Sequence, residues 1–418
     1  MKSFSCSLSP DTFSNSNLSK LALSTGFQVR SRCLTISKLI RAAFKALSCQ
    51  QDANLSDIHR NLNAEVACDI EYKPFHNQIR KPELVKLLQQ LTIQAMSSLS
   101  VDSLEPTYFA QRGINRVLIQ DGSSFALHDG LKQAFTGRFN TVSPAAIELH
   151  ATYDLFSEMP CVIDVRPDVE PERNFLPGSH TLKDTLLLAD AGYFDLAYFE
   201  QVKEAGGYFM ARASNRINPT VLSVNLSGIE FQPTEQKLQS VIAKFGSQPL
   251  EMTVQWGSRS PKYRLLYVPD KKRPVLLLTN LCDAQFNFDE LLDIYAIRWQ
   301  IELFFKELKS WNNLKGFMTT DPHIAESLVW LSLLQALMKR FVCHSASRLW
   351  RCAISTFKAN KIAYLWVDDI LECFDLQCSQ KKLNEVLEIL ATHCQRGKIK
   401  RDCKLSRFII GTKTICVA

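Results

Sequence analysis

The chain has 418 residues, of which 46% are hydrophobic and 22% are charged, and these proportions exclude an intrinsically disordered protein. Its length is sufficient for two or three folded domains. The formal net charge of +7 permits a polyanionic partner such as nucleic acid but does not require one.

The cysteines and the apolar runs indicate the environment in which the chain folds. Its thirteen cysteines include no C-x-x-C pair and no spacing typical of a zinc site, so we expect reduced thiols. The N-terminus is polar and unlike a signal peptide, and the longest apolar run, near residues 328–338, is too short to cross a bilayer. These features predict a cytoplasmic protein with no membrane partner.

The N-terminal part of the chain has helical patterning. Residues 1–16 are rich in serine and asparagine, which predicts a flexible tail. Residues 17–110 contain four helical patterns, with Asn54 placed to cap the third and Pro82 to begin the fourth. Cations between the helical turns suit a DNA-binding domain, while a plain helical core explains the same pattern equally well.

Beyond this part, the pattern changes to that of a mixed α/β sheet. The predicted elements are strands at 116–120, 145–155, 159–167, 185–189 and 208–214, with a helix at 194–205. Asp121 ends the first strand, before a predicted turn over residues 122–124, and Asp190 ends the fourth. Open α/β sheets bind ligands at such strand ends, although a lone aspartate there more often forms a turn.

The remaining chain predicts an insertion followed by helices. Residues 215–286 read as strands, and Asn287 with Glu290 can form a capping box for a helix that continues to about residue 309. In chain order, the predicted parts are a flexible tail at 1–16, a helical domain at 17–110, the first part of the α/β core at 111–214, a β-rich insertion at 215–286, the second part of the core at 287–345 and a helical region with a basic tail at 346–418.

The predicted helix over residues 293–309 carries two distinct stripes. One polar set shares an arc of about 80°, from the geometry of 3.6 residues per turn: Tyr295, Arg298, Glu302, Lys306 and Lys309. An apolar set occupies the adjacent arc: Ile294, Ile297, Ile301, Phe304, Phe305 and Leu308. The apolar stripe can dock on a core while the polar stripe faces an anionic partner. An ordinary amphipathic helix with an ion pair between Glu302 and Lys306 is the simpler alternative.

Three acids would form a metal site if they meet. Asp121, Asp190 and Glu302 together could hold one or two Mg²⁺ ions, with a phosphate group completing the coordination. Two ions about 4 Å apart activate an attacking water or 3′-hydroxyl and stabilise the leaving oxygen. Because converging carboxylates repel one another without a cation, three of them favour a metal site over a structural role.

The polar stripe also resembles the signature of a known family. The spacing Tyr295-x2-Arg298-x3-Glu302-x6-Lys309 is similar to the Y-R-E-K signature of bacterial insertion-sequence transposases of the IS-four type. The surrounding YAIRWQIELFFKELK resembles that region as a whole. Members of that family belong to the DDE group, so the resemblance implies an RNase H-like core with a β-strand insertion over about residues 110–345.

The resemblance extends to two further acids and to cations. Asp121 in LIQDGSSF and Asp190 in LLLADAGYF resemble the family's first two acids. With Glu302 they would be the catalytic residues and metal ligands, for Mg²⁺ with Mn²⁺ able to substitute. The resemblance assigns contacts with DNA to one tyrosine and several cations: Tyr295, Arg298, Lys309, Lys306 and, in the segment FMARASN, Arg212.

The function implied by the resemblance is cut-and-paste DNA transposition. The protein would cleave double-stranded DNA at the terminal inverted repeats of its element and join the ends to target DNA. Pairing two ends suggests a homodimer on DNA, associated with the bacterial nucleoid. Two alternatives stay open, an inactive or domesticated relative that only binds DNA and an RNase H-like nuclease without strand transfer.

Overall fold

The computed structural model of the protein describes most of the chain. The described residues are 11–28, 34–49, 53–65, 69–99, 107–226, 228–234, 236–270, 273–311, 318–374 and 380–396. Residues 1–10 of the predicted flexible tail lie outside this part, as does most of the predicted basic tail, from residue 397 onward.

The N-terminal helices form where the sequence predicts them, with additions. They are α1 (Asn15–Ser24), α2 (Ile36–Cys49), α3 (Leu55–Glu65), α4 (Tyr72–Ile79), α5 (Pro82–Ser98) and α6 (Thr107–Ala110). The Asn54 side-chain oxygen accepts hydrogen bonds from the backbone N–H groups of Ser56 and Asp57, so it caps α3 as predicted. The prediction of a flexible tail was wrong from residue 11 onward, because Asp11–Phe13 form a short 3-10 helix, the Phe13 side chain is buried and α1 begins at Asn15.

The central sheet has the strand order of an RNase H-like core. Its strands are β1 (Arg116–Ala126), β2 (Thr136–Phe139), β3 (Ser143–Asp154), β4 (Met159–Pro167), β5 (Thr185–Ala189) and β6 (Tyr208–Ala213). The order β4–β3–β1–β5–β6 has antiparallel pairing up to β1 and parallel pairing from β1 to β6. Helix α7 (Leu196–Glu204) crosses from β5 to β6. The predicted fold class is confirmed.

The stretch predicted as an insertion extends the same sheet. Its elements are β7 (Thr220–Leu226), β8 (Ile229–Phe231), α8 (Leu238–Phe245), β9 (Leu250–Gln255), β10 (Tyr263–Val268) and β11 (Val275–Thr279). Strand β11 pairs antiparallel with β6, and the order continues β10–β9–β7–β8. The expectation of strands throughout this stretch was wrong at α8, whose apolar residues pack on one face of the sheet.

Helices complete the described chain. They are α9 (Phe288–Ala296), α10 (Trp299–Trp311), α11 (Pro322–Leu349), α12 (Thr356–Lys361), α13 (Val367–Phe374) and α14 (Gln380–His393). The predicted capping box is present at the start of α9, where the Asn287 side chain accepts from the Glu290 N–H and the Glu290 carboxylate accepts from the Asn287 N–H.

The two faces of the sheet bury separate apolar layers. Along β5, Leu186 and Leu188 join a layer shared with α9, α10, α11 and the N-terminal helices. Leu187 and Ala189 join the layer shared with α7 and α8. This alternation follows from the two-residue period of a strand. The apolar stripe predicted over residues 293–309 is buried in the first layer, as expected.

A buried ion pair fastens α10 to α11. The Arg340 guanidinium donates to the Glu307 carboxylate at 2.5 Å and to the Tyr153 hydroxyl at 2.8 Å. The Asn360 side-chain amide donates to the other Glu307 oxygen at 2.7 Å. Arg340 and Glu307 are each only 7% exposed, so removing either charge would take a directly bound counter-ion from the other in the core.

Replacing Arg340 with Met is expected to lower the free energy of unfolding by roughly 3–5 kcal/mol, because Glu307 would lose the guanidinium that binds it in the core. Urea unfolding followed by circular dichroism measures the loss. The double variant Arg340→Met/Glu307→Leu should recover most of it, since two apolar side chains need no partner.

The control for this substitution is an exposed ion pair. Arg166 lies 3.7 Å from Asp164, and its side chain is 50% exposed. Arg166→Met should therefore change the free energy of unfolding by less than about 1 kcal/mol. An Arg340→Met variant as stable as the parent chain would contradict the importance of the buried pair.

Two further findings concern membrane-spanning helices and cysteines. None of the helices in the described ranges is long and apolar enough to cross a membrane. Five described cysteines are free thiols: Cys161, Cys282, Cys343, Cys352 and Cys394.

Candidate active site

Asp121 and Asp190 lie side by side at one edge of the parallel strand pair. Gln120 in β1 is in register with Ala189, the last residue of β5, and each aspartate is the next residue along its strand. The prediction that β1 ends at Asp121 was wrong, because β1 continues to Ala126 through its antiparallel ladder with β3. The parallel pairing of β1 with β5 stops at Gln120 and Ala189, so both acids lie just beyond the end of that ladder.

The signature helix is divided into two helices. The prediction of one continuous helix was wrong, because α9 ends at Ala296 and α10 begins at Trp299. At the break, the Arg298 N–H donates to the Tyr295 carbonyl and the Ile301 N–H donates to the Arg298 carbonyl, which is the tighter three-residue hydrogen-bond pattern. The predicted polar stripe is therefore split between the two helices.

Side chains from this break reach all three acids. Arg298 donates one hydrogen bond to Asp121 Oδ2 at 2.7 Å and another to Glu302 Oε1 at 2.6 Å. The Tyr295 hydroxyl lies 3.4 Å from Asp190 Oδ1 and 3.3 Å from the carbonyl oxygen of Ala189. The predicted residues from β1, β5 and the signature helix therefore come together at one place.

The remaining predicted cations lie around this place at different depths. Lys309 Nζ donates to the carbonyl oxygen of Ser124 at 2.6 Å, beside the continued part of β1. Arg212 in β6 is half-buried, and its charge acts on the Tyr295 hydroxyl. Lys306 is exposed on α10. Lys309 thus lies against β1, the strand that carries Asp121, and Arg212 lies near Tyr295.

Burial and like charges raise the pKa of Asp121. Desolvation is the largest cause, and Asp190 and Glu302 add repulsion, so the pKa reaches about 6 although Arg298 and the Gly122 N–H favour the ionised form. Burial alone would lower the pKa of Arg298, but the neighbouring acids raise it above its usual value. The guanidinium is therefore the charge that offsets the repulsion among the carboxylates.

The three carboxylates are the type of ligand that a divalent cation prefers. In the described structure, however, Arg298 bridges two of them. Carboxylate oxygens are the ligands that Mg²⁺ prefers, and three of them contact Tyr295 or Arg298. Within the described residues, no group of three His, Cys, Asp or Glu side chains is arranged to hold a metal ion. The Arg298 guanidinium stands in for the cationic charge between Asp121 and Glu302.

Sequence reasoning missed a buried polar cluster behind Asp121. Glu148 and His150 of β3 are buried, and Arg138 lies 3.3 Å from Glu148 and 3.9 Å from Asp168. Burial is the main cause that raises the pKa of Glu148 to about 7 and lowers that of His150 to about 4. The signal was available, because Glu148, His150 and Thr152 alternate along the predicted strand and so share one face.

The fold and the site define the class, and sequence comparison gives the family. An RNase H-like sheet with acids at adjacent parallel strand ends and on a following helix is the architecture expected of a DDE protein. Residues 112–337, more than half of the chain, match the family described as the transposase DDE domain. The chain belongs to this family, and the resemblance to insertion-sequence transposases is confirmed. The family generally uses a divalent metal ion.

Several curated relatives are transposases of insertion sequences. The transposase for insertion sequence element IS1151 of Clostridium perfringens is 24% identical, across 56% of this chain and 60% of that relative. The transposase for IS231D of Bacillus thuringiensis subsp. finitimus is 24% identical, across 58% and 60%. The putative transposase InsL for IS186A of Escherichia coli (strain K12) is 39% identical over 15% and 17%. The match thus spans no more than about 60% of these relatives' length.

One solved structure also resembles the chain. The cryo-EM structure of the piggyBac transposase synaptic complex with hairpin DNA superposes with a TM-score of 0.46 and 12% identity, over 92% of this chain and 83% of that chain. A likeness of this size carries no conclusion about function.

Stability should depend on pH through Asp121. Because its pKa is raised in the folded chain, this group contributes stability that is complete below about pH 4 and is lost as the pH rises through about 6. In Asp121→Asn, the free energy of unfolding should fall by roughly 3 kcal/mol less than in the parent chain over this pH range. The free energy of unfolding, measured from pH 4 to 7 in metal-free buffer, tests this.

A second variant distinguishes the contribution of Glu148 from that of Asp121, because the two acids lose stability over different pH ranges. Glu148→Gln should remove a decline that extends to about pH 7, because the pKa of Glu148 is raised to that value. If Asp121→Asn retains the same pH dependence as the parent chain, the burial of an ionisable acid at this place is contradicted.

Proposed function

We propose that the protein is a DNA transposase that cleaves strands at the terminal inverted repeats of an insertion sequence and transfers the ends to target DNA. The observation that supports this most directly is the meeting of Asp121, Asp190 and Glu302 from three separate elements in a member of the transposase DDE family. Arg298 at the acids and Lys309 beside β1 suit a polyanionic substrate.

The three acids are proposed as the catalytic metal ligands. Asp121, Asp190 and Glu302 would hold Mg²⁺, with Mn²⁺ able to replace it. The bound ion would lower the pKa of an attacking water or hydroxyl and offset charge on the phosphate. Glu302 lies in the first turn of α10, so a change of its side-chain rotamer would move its carboxylate relative to the two aspartates without moving the helix.

The side chains around the acids are proposed to hold DNA. Arg298 is charged and already directed at the acids, and it can exchange a carboxylate for a phosphate oxygen because both accept its paired N–H groups. Tyr295 and Lys309 flank it on the same edge. Arg212 and the exposed Lys306 would contact phosphates further along the strand.

The wider assembly is proposed from the same chemistry. The partner is double-stranded DNA, at the element's ends and at the target, and joining two ends calls for two copies of the chain, a homodimer on DNA. The helical part at residues 17–110 would add contacts with DNA. The protein would act in the bacterial cytoplasm, at the nucleoid.

The central test is metal-dependent cleavage. A plasmid that carries the chain's own gene with its flanking DNA should be cut at the element's ends in Mg²⁺ or Mn²⁺ and left intact in EDTA. Glu302→Gln should reduce the cleavage rate at least about 100-fold, because it removes one charged ligand. Gel analysis of nicked, linear and end-joined products follows each step.

Matched controls separate the alternatives. Glu200→Gln, an exposed change on α7, should cleave like the parent chain. A parent chain that binds DNA but never nicks it would instead be a DNA-binding relative, and cleavage without end-joining would indicate a nuclease. Undiminished cleavage by Glu302→Gln would rule out the proposed role of that residue.

Contacts with phosphate can be tested by salt dependence. Lys309→Gln should weaken binding to the plasmid's end fragment and lower the slope of log K against log salt by about one, since one phosphate contact is lost. Lys244→Gln on α8 removes the same charge from the predicted insertion and should leave the slope unchanged. Equal slopes for parent and Lys309→Gln would exclude this contact; fluorescence anisotropy gives the values.

A further inference from the structure

Tyr193 connects the Asp190 turn to the strand that carries Asp121. It is the last residue of the 3-10 turn Ala191–Tyr193, and its backbone N–H donates to the Asp190 carbonyl at 3.1 Å. Its side chain is fully buried within the layer below β1 and β5. Tyr193 is thus hydrogen-bonded to Asp190 through its backbone, while its side chain packs beneath the strand that carries Asp121.

The Tyr193 hydroxyl lies against both neighbours of Asp121. A Cβ built on Gly122 would be 2.9 Å from this hydroxyl, so the close approach depends on glycine at that position. The Gln120 side chain also interacts with the hydroxyl. Gln120 and Gly122 flank Asp121 in β1, so the tyrosine contacts the strand on both sides of the acid.

His150 holds the hydroxyl from the other side. Its Nδ1 lies 2.9 Å from the Tyr193 oxygen, and its ring stacks on Phe175 at 3.8 Å. Because burial lowers the pKa of His150 to about 4, the ring is neutral near pH 7 and Nδ1 can accept a hydrogen bond from the Tyr193 hydroxyl. Within the described residues, Nε2 has no hydrogen-bond partner, and Glu148 lies 3.7 Å from it.

We propose that Tyr193 is a positioning residue that fixes the separation of Asp121 and Asp190. This inference rests on the proposed function, in which both aspartates are metal ligands. Metal ligands must be held within about 0.5 Å of their productive geometry by residues that are themselves fixed. The hydroxyl meets this need because β1, β3 and the turn after β5 converge on it.

The experiment removes the hydroxyl and keeps the ring. Tyr193→Phe in the full chain should weaken Mn²⁺ binding about 10- to 100-fold, the usual cost of losing a group that orients a ligand. Electron paramagnetic resonance of free Mn²⁺ measures this affinity without any reaction. The single-turnover cleavage rate at fixed Mn²⁺ should fall by a similar factor, while the Kd for the end fragment stays within about twofold.

Tyr267→Phe is the matched control. In the parent chain, the Tyr267 hydroxyl in β10 donates to the Gly246 carbonyl at 3.2 Å. The variant therefore loses one hydroxyl and one hydrogen bond, but within the predicted insertion. This variant should bind Mn²⁺ and cleave like the parent chain. If Tyr193→Phe matches the parent in Mn²⁺ affinity and rate, or if Tyr267→Phe shows the same losses, the inference is overturned.

A second variant keeps the test valid if Tyr193→Phe folds poorly. Gly122→Ala would place a methyl group 2.9 Å from both the Tyr193 hydroxyl and Glu148 Oε1. Its effect on Mn²⁺ affinity should be smaller when Tyr193 is already Phe, because the close contact with the Tyr193 hydroxyl is gone. Additive effects in this double-mutant cycle would overturn the inference, as would full Mn²⁺ affinity in Gly122→Ala alone.

Failure of the proposed function would look different. A parent chain that binds Mn²⁺ through Asp121 but cuts no DNA would refute transposition and leave the positioning role supported by the Mn²⁺ data. A parent chain that cuts DNA while Tyr193→Phe keeps its Mn²⁺ affinity and rate would refute the positioning role alone.

Discussion

Three carboxylates at one sheet edge repel each other, and the site depends on the positive charge that offsets this repulsion. In the described structure, that charge is the Arg298 guanidinium, which bridges Asp121 and Glu302. A cation bound by the acids would take over the same electrostatic task and would free the guanidinium for a phosphate. Arginine suits this exchange better than lysine, because its flat, forked donors fit carboxylate and phosphate alike.

Helix α10 is held through arginine on two sides. On one side, Glu302 accepts a hydrogen bond from Arg298. On the other, Glu307 lies about 140° around the helix and accepts a hydrogen bond from Arg340 in the core. The buried pair restricts rotation of the helix about its own axis, since any turn would pull Glu307 away from the Arg340 guanidinium. The catalytic glutamate proposed here is therefore oriented by a contact that never touches the site.

The sequence predicted elements well wherever neighbouring residues decide them, as with the capping box at Asn287 and the strand β4. It misplaced the end of β1 because residues 122–124 suit a turn, and only the distant ladder to β3 keeps them extended. The break at Arg298 contains no glycine or proline, so nothing local marks it. The signature and the proposed acids were found through a family resemblance. Glu148 and His150 were missed because an alternating polar stripe equally indicates a solvent-facing strand.

The pairing of β11 with β6 has an evolutionary consequence. The chain leaves the core at the end of β6 and returns through β11, hydrogen-bonded beside it, before it enters α9. The two ends of the intervening segment are thus neighbours, and its other strands add outward from β11. A segment with adjoining ends can gain or lose residues at small entropic cost. Related chains can therefore differ widely in the size of this outer sheet while the signature helix begins at the same point of the core.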